Sequence, residues 1–306
     1  MSNKSYLSVY AKSFSWAGFF LPKETFKKCS TLYDFCRIVD DIADNDEKIE
    51  IKKKKFIQFE NDFNQKNFEN PIIKNMWGLV EEFNISSKIV QDLFIGIKSD
   101  IKDKVKFNSK KDLLIYSYRV AGTVGLMMAK ILKVNKKDSL KSAIDLGIAM
   151  QLTNISRDVI EDSKNNRFYI NENFEEISST INLADIFYKN SFYSIKNIPV
   201  SFRFSILVAR RVYRKIGHKI LKKKNLENYQ NSGKIYVSNI EKTLETFLAI
   251  LDLIKLSLTF KDDDQIYHDH ILINEEINLD ERIWLYNYWW WLRGVITVSY
   301  THLTLP

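Results

Sequence analysis

The sequence predicts an all-α protein, built as a single-domain helical bundle, and three observations carry that expectation. Its 306 residues include only 9 glycines and 4 prolines. Sheets and tight hairpins consume both, so their scarcity favours long helices joined by short polar connections. Apolar residues also recur at three- and four-residue spacing, as in Phe26, Cys29, Leu32, Tyr33 and Cys36. Finally, no repeat at a fixed period and no Pro/Gly-rich linker divides the chain, which points to one domain. Hydrophobic residues make up 45% of the sequence, enough for a sizeable core.

The stretch KSFSWAGFFLP is apolar and aromatic, with Ser13 and Ser15 at its start and Pro22 at its end. Pro22 opens a helix with Glu24 in its first turn, expected to run to about Asp44. A Lys- and Glu-rich passage to about Gln65 reads as an exposed helix. Two helices follow between 72 and 105, the second with Ser86 or Ser87 as N-cap. Asn108 and Ser109 introduce KDLLIYSYRVAGTVGLMMAKIL. A helical glycine costs about 1 kcal/mol relative to alanine, so Gly122 and Gly125 need a reason. Either a neighbouring helix or a ligand comes very close, or the helix is kinked. Asp138 and Ser139 start the helix carrying Gln151 to Asp162, and NNRFYINENF ends it. Further helices are expected around 182–195, 200–223 and 236–259. After them the composition jumps, and four of the six tryptophans lie between Trp284 and Trp291. An interfacial aromatic anchor is one reading of this tail. A read-through of cloning origin is preferred, so residues 1–283 are expected to form the domain and 284–306 to lie outside its native fold.

The formal net charge is +8, with lysine runs in IKKKK and LKKK. Solvated helix faces explain such runs first, and attraction to phosphate groups or an anionic membrane second. Nucleic acid is not an expected partner, because no binding motif accompanies the charge. Cys29 and Cys36, seven apart on one helix, suit neither a disulfide nor a zinc site and read as small hydrophobes in a reducing compartment. The N-terminal residues lack the apolar core of a signal peptide, and no run before 283 approaches a membrane span.

The chemistry is expected at two acidic helix faces. Asp158 and Asp162 are four apart, with Gln151, Asn154 and Arg157 on or near the same face one turn earlier. Asp40 and Asp44 repeat the spacing, behind Arg37. A lone Asp-x-x-x-Asp is weak evidence and by itself reads more often as a solvated acidic face. Here both pairs end apolar stretches and carry a nearby arginine, where a solvated face is polar all round. Carboxylates at this spacing on facing helices can hold divalent ions over a diphosphate, since magnesium takes oxygen ligands and shares them with phosphates. The arginines add donors that grip phosphate oxygens.

KSFSWAGFFLP, LYDFCRIVDDIAD, YSYRVAGTVGLMM and QLTNISRDVIEDSKNNRFY resemble, in order and spacing, the motifs of the squalene and phytoene synthase family. The resemblance covers residues 11 to about 260, and RVAGTVGLMM looks most like bacterial and plant phytoene synthases. It implies a helical fold with two aspartate-rich motifs on opposite walls of a deep central cavity. It also implies head-to-head condensation of two geranylgeranyl diphosphates to phytoene, in carotenoid biosynthesis, through a cyclopropyl diphosphate. By the resemblance Asp40, Asp44, Asp158 and Asp162, completed by Asn154, hold magnesium, with manganese as the alternative ion. Arg37, Gln151, Asn154 and Arg157 contact diphosphate or complete the site. Ser13, Phe14 and Tyr33 lie close to the substrates, while Tyr118 and Tyr213 line the cavity, Tyr118 being counted with the catalytic set. Three positions depart from the family pattern. Ala11 stands where many relatives have serine and Ser156 where most have leucine, and Ile240, with Lys242 nearby, occupies the position of a common basic residue.

Squalene or dehydrosqualene formation from farnesyl diphosphate shares these motifs. A non-catalytic helical assembly factor is the reading from another class, and it is disfavoured because such relatives tend to lose aspartates that are all present here. Oily substrate and product imply peripheral attachment to the inner face of the cell membrane, on the cytoplasmic side. Nothing in the sequence bears on oligomeric state.

Overall fold

The computed structural model describes residues 12–259 and 268–284, which form the expected helical fold with one pair of two-residue strands. The tail beyond Trp284 and the side chains of Ser13 and Phe14 lie outside the described residues. After a short α1 (Lys12–Gly18), α2 (Lys23–Asp44) follows Pro22 and buries Cys29, Leu32, Phe35, Val39 and Ala43 at helical spacing. The lysine-rich passage forms α3 (Ile49–Asn64), but it is not simply exposed. Phe56, Phe59 and Phe63 turn inward onto Phe35 of α2 and onto Phe94 of α5 (Ser87–Lys98). Spaced three and four apart, these phenylalanines are an apolar stripe that the lysine content masks. Between them α4 (Pro71–Glu82) starts with proline in its first turn and Asn70 accepting from the Ile72 amide. Ser86 caps α5 in the same way.

Ser109 caps α6 (Lys110–Ser117), which passes through one π-helical turn, Tyr118–Gly122, into α7 (Thr123–Ile131). The close approach of a neighbouring helix, one of the sequence-based reasons for the glycines, is what the structure shows. The rod carries a π turn, and a neighbouring helix presses on it. A Cβ on Gly125 would stand 2.3 Å from the Ala143 carbonyl oxygen, and one on Gly147 would stand 2.3 Å from that of Ala121. Those contacts belong to α8 (Lys137–Lys164), the 28-residue helix around which the bundle packs. Its end leads to β2 (Arg167–Phe168), which pairs in parallel with β1 (Val105–Lys106) and fastens the connection after α5 to the end of α8.

The next helix, α9 (Phe174–Asn190), begins well before the expected 182, because Asn173 caps it and Glu175 and Glu176 fill its first turn. There follow α10 (Val200–Leu221), α11 (Leu226–Asn231) and α12 (Asn239–Leu258), the last opened by a Ser238/Glu241 capping box. Besides the short α1 and α11, two C-terminal helices escaped the sequence reading, α13 (His268–Asn274) and α14 (Leu279–Trp284). They pack back on the bundle through His270 on Asp145 and Arg282 on Asp92, all buried or nearly so. Among the described residues no helix is long and apolar enough to cross a membrane.

Candidate active site

The facing walls of α2 and α8 enclose a polar cavity of about 1480 Å³. Tyr33, Arg37, Asp40 and Asp44 line it from α2, Gln151, Asn154, Arg157, Asp158 and Asp162 from α8, and Tyr213 from α10. Every expected residue on these three helices therefore meets in one place, because each helix turns a single face inward.

Cations are interleaved with the acids. Arg37 pairs with Asp41 at 2.6 Å and reaches Asp40 at 3.5 Å. Arg157 donates from Nε to Asp158 at 2.9 Å, and Lys234 approaches the same carboxylate at 3.4 Å. Arg167 crosses between the walls, from β2 to Asp44, at 2.6 Å. Desolvation between the walls, and then the neighbouring Asp44, push the Asp40 carboxyl up to about 7. Desolvation and then Asp158 do the same to Asp162, also to about 7. Among the described residues no three acidic, His or Cys side chains converge closely enough to cage an ion by themselves. The Asn154 side-chain oxygen, buried between the walls, has no hydrogen-bond partner.

A second, apolar cavity of about 270 Å³ adjoins the first, and Tyr33, Gln151 and Asn154 line both. It follows one face of α8, at Ser139, Ala143, Gly147, Met150 and Asn154, with Ala121, Gly125 and Met128 of the π turn and α7 opposite. The small residues give the space its width. Cys36 lines it as a thiol, and burial pushes that thiol up to about 12.

A family model for squalene/phytoene synthase matches residues 7–174. The chain belongs to the squalene/phytoene synthase family. It is accordingly an enzyme of the prenyltransferase type. It is 29% identical to a 15-cis-phytoene synthase of Enterobacter agglomerans over 70% of this chain and 83% of that one. It is 32% identical to a 4,4'-diapophytoene synthase of Staphylococcus haemolyticus over 53% and 59%. Among solved structures it is similar to a dehydrosqualene synthase in complex with ligand, with 26% identity, a TM-score of 0.68 and coverage of 82% and 95%.

Within this family frame one expected residue sits elsewhere. Tyr118 lines neither cavity. It is wholly buried, with its hydroxyl donating to Asp92 at 3.1 Å, because the π turn directs it into the packing between α5 and α14. Several cavity residues were missed. Asp100 accepts from Tyr116 at 2.6 Å and Tyr169 at 2.9 Å, and all three line the polar cavity with Arg167. Asp100 lies in the turn after α5 and Tyr116 within α6, with no shared spacing, so no local signal marks them. Arg167 and Tyr169 fall inside NNRFY, where an arginine just beyond an acidic face was the available clue. Lys242, not Ile240, is the basic residue of α12 that lines the cavity, and Ile240 is 84% exposed. Ser156 is buried and donates to the Leu152 carbonyl within α8, so its hydroxyl is absorbed by its own helix.

Proposed function

We propose that the protein is a phytoene synthase that joins two geranylgeranyl diphosphates head to head through a cyclopropyl diphosphate. One arrangement carries the reading: an apolar cavity lies directly beside the charged one, with Tyr33, Gln151 and Asn154 lining both. A prenyl diphosphate has the same division, with its reacting carbon at the junction of tail and headgroup. Residues 1–283 act as its one catalytic domain, with 284–306 outside it.

Magnesium fits the donor set, and Asp40, Asp44, Asn154, Asp158 and Asp162 would hold it. The donors are all oxygen, one of them is a buried orphan, and the carboxylates stand on opposite walls. That suits ions shared with phosphate oxygens rather than ions caged by protein alone. When bound, the metal supplies charge neutralisation for the departing diphosphate. Arg37, Arg157, Lys234 and Lys242 offer further donors to the phosphate oxygens. The tunnel walls hold the tail and keep water from the allylic cation left when the first carbon–oxygen bond breaks. The double bond of the second substrate forms the new carbon–carbon bond to that cation, and loss of a proton closes the cyclopropane. Departure of the second diphosphate, rearrangement and a last proton loss give phytoene.

The apolar lining is long enough to admit the longer substrate. Ser139 to Asn154 is about 22 Å of helix. Four extended isoprene units reach roughly 20 Å and three roughly 15 Å, from carbon–carbon bonds of about 1.5 Å. Apolar substrate and product also make this a peripheral enzyme on the inner face of the cell membrane. The test is incubation with geranylgeranyl or farnesyl diphosphate, with magnesium and no reductant, beside the Asp158→Ala protein. Phytoene from the longer substrate, lost in the variant, is expected. Product from farnesyl diphosphate alone moves the protein to the dehydrosqualene branch, and no product from either overturns the enzymatic reading.

A further inference from the structure

The exposed side of α12 is an apolar stripe without a partner among the described residues. Ile240, Leu244, Phe247, Leu251, Ile254 and Leu258 follow one another at four- and three-residue steps, each more than half exposed except Ile254 at 50%. Their spacing is that of a packed helix seam, yet they face solvent. The acids of α12 are turned away from this side. Glu241 pairs with Lys219, Glu245 with Arg211 and Lys215, and Asp252 with Arg211, all on α10. The charged residue on the exposed side is Lys255. At the other end, Lys219 bonds the Tyr236 carbonyl and so brings the end of α10, with exposed Lys222 and Lys224, beside the start of α12.

We propose that this stripe seats the protein on an anionic lipid bilayer, with α12 lying in the headgroup boundary. The inference rests on the prenyl diphosphate reading only for its purpose, not for its evidence. An apolar helix face flanked by lysines and cleared of acids is what an anionic membrane surface binds. A second copy of the chain is a poorer occupant. A helix of 20 residues presents about 300 Å², well under the roughly 800 Å² per partner of a stable dimer. The stripe is also continuous with the active site. Tyr236, Ser238, Asn239 and Lys242, at the start of α12, line the polar cavity, so a seated α12 sets the cavity mouth at the lipid surface.

The test is flotation of the full chain with phosphatidylcholine vesicles, with and without phosphatidylglycerol, beside the Phe247→Glu/Leu251→Glu protein. Both residues are well exposed, so the variant keeps its fold, which circular dichroism checks. The wild type floats with the anionic vesicles and its binding weakens as salt rises. The variant binds at least roughly tenfold less. Its turnover of detergent-dispersed substrate stays at the wild-type level, which separates loss of docking from failure of the functional reading. Equal flotation of variant and wild type overturns the proposal. So does a wild type that does not float, as follows if the chain's own segment past Trp284 fills the stripe. A wild-type dimer that the variant converts to monomer overturns it in favour of a second copy.

Discussion

Arg167 donates from Nη1 to Asp44 Oδ1 at 2.6 Å and from Nη2 to the Ala43 carbonyl at 3.3 Å, joining the strand after α8 to the last turn of α2. The two acidic walls come from helices distant in sequence, and this arginine sets their separation at the mouth. It takes one Asp44 oxygen and leaves the other to the cavity. Arg167→Gln is therefore expected to raise the magnesium concentration needed for half-maximal turnover by roughly tenfold. Arg167→Lys restores part of the loss. Magnesium titration of initial rates checks both, and a rate loss with an unchanged magnesium requirement counts against this positioning role.

Asp100 gives the fold a pH dependence. Desolvation outweighs the Tyr116 hydrogen bond, the Arg167 charge and the Tyr169 hydrogen bond, and raises its carboxyl to about 6. An acid raised in the folded state holds a proton that the unfolded chain has already lost. Its contribution to stability is present below about pH 4 and is lost as pH climbs to about 6. Asp100→Asn removes that loss, so its stability relative to wild type is expected to improve by on the order of 2 kcal/mol across the window. Urea unfolding at a series of pH values measures this. A constant difference between the two proteins would rule out Asp100 as the titrating group.

The sequence was most legible where one helix face carried the information. Asp40 with Asp44, and Asp158 with Asp162, could be placed on one side by spacing alone, and the facing helices then brought Arg37, Gln151, Asn154 and Arg157 along. Contacts made across the fold were not legible. The Asp100, Tyr116 and Tyr169 cluster depends on parallel pairing of two-residue strands, too short to leave an alternating pattern. Tyr118 was placed by the resemblance and not by spacing, and its contact with Asp92 on another helix is likewise one made across the fold. In α3 composition misled, because Phe56, Phe59 and Phe63 sit among lysines.

Lys242 is a second test of the site. It is nearly buried and lines the polar cavity from α12, two residues from the exposed Ile240. A cation there contributes to holding a diphosphate more than to the bond changes at the tunnel mouth. Lys242→Gln is expected to raise KM for the prenyl diphosphate about tenfold with kcat little changed. Steady-state kinetics resolve the two parameters, and an effect confined to kcat would contradict this assignment.

Gly147 tests the crossing of α7 and α8. A methyl group there meets the Ala121 carbonyl oxygen and carbon of the π turn, which are backbone and have no rotamer to yield. Gly147→Ala should destabilise the protein by about 2 kcal/mol, despite alanine's better helix propensity. It should also narrow the apolar tunnel, which Gly147 lines. Denaturant melts and product analysis read the two effects separately, and a variant as stable as wild type would show that the helices can part at no cost.

The C-terminal helices are part of the fold, and Arg282 is the residue that tests it. Its guanidinium makes two bonds to Asp92, at 2.7 and 3.1 Å, and Asp92 also accepts from Tyr118. Asp92 is 3% exposed, so removing its cation leaves a buried charge held by one neutral donor. Arg282→Ala is expected to cost about 3 kcal/mol. Adding Asp92→Asn to it removes the stranded charge and should recover much of that loss, since both bonds to Arg282 are already missing in the single variant. Thermal and urea unfolding of the two single variants and the double variant close the cycle. Additive losses would mean that the pair is not coupled and that α14 is held by its apolar contacts, Leu279 and Ile283, alone.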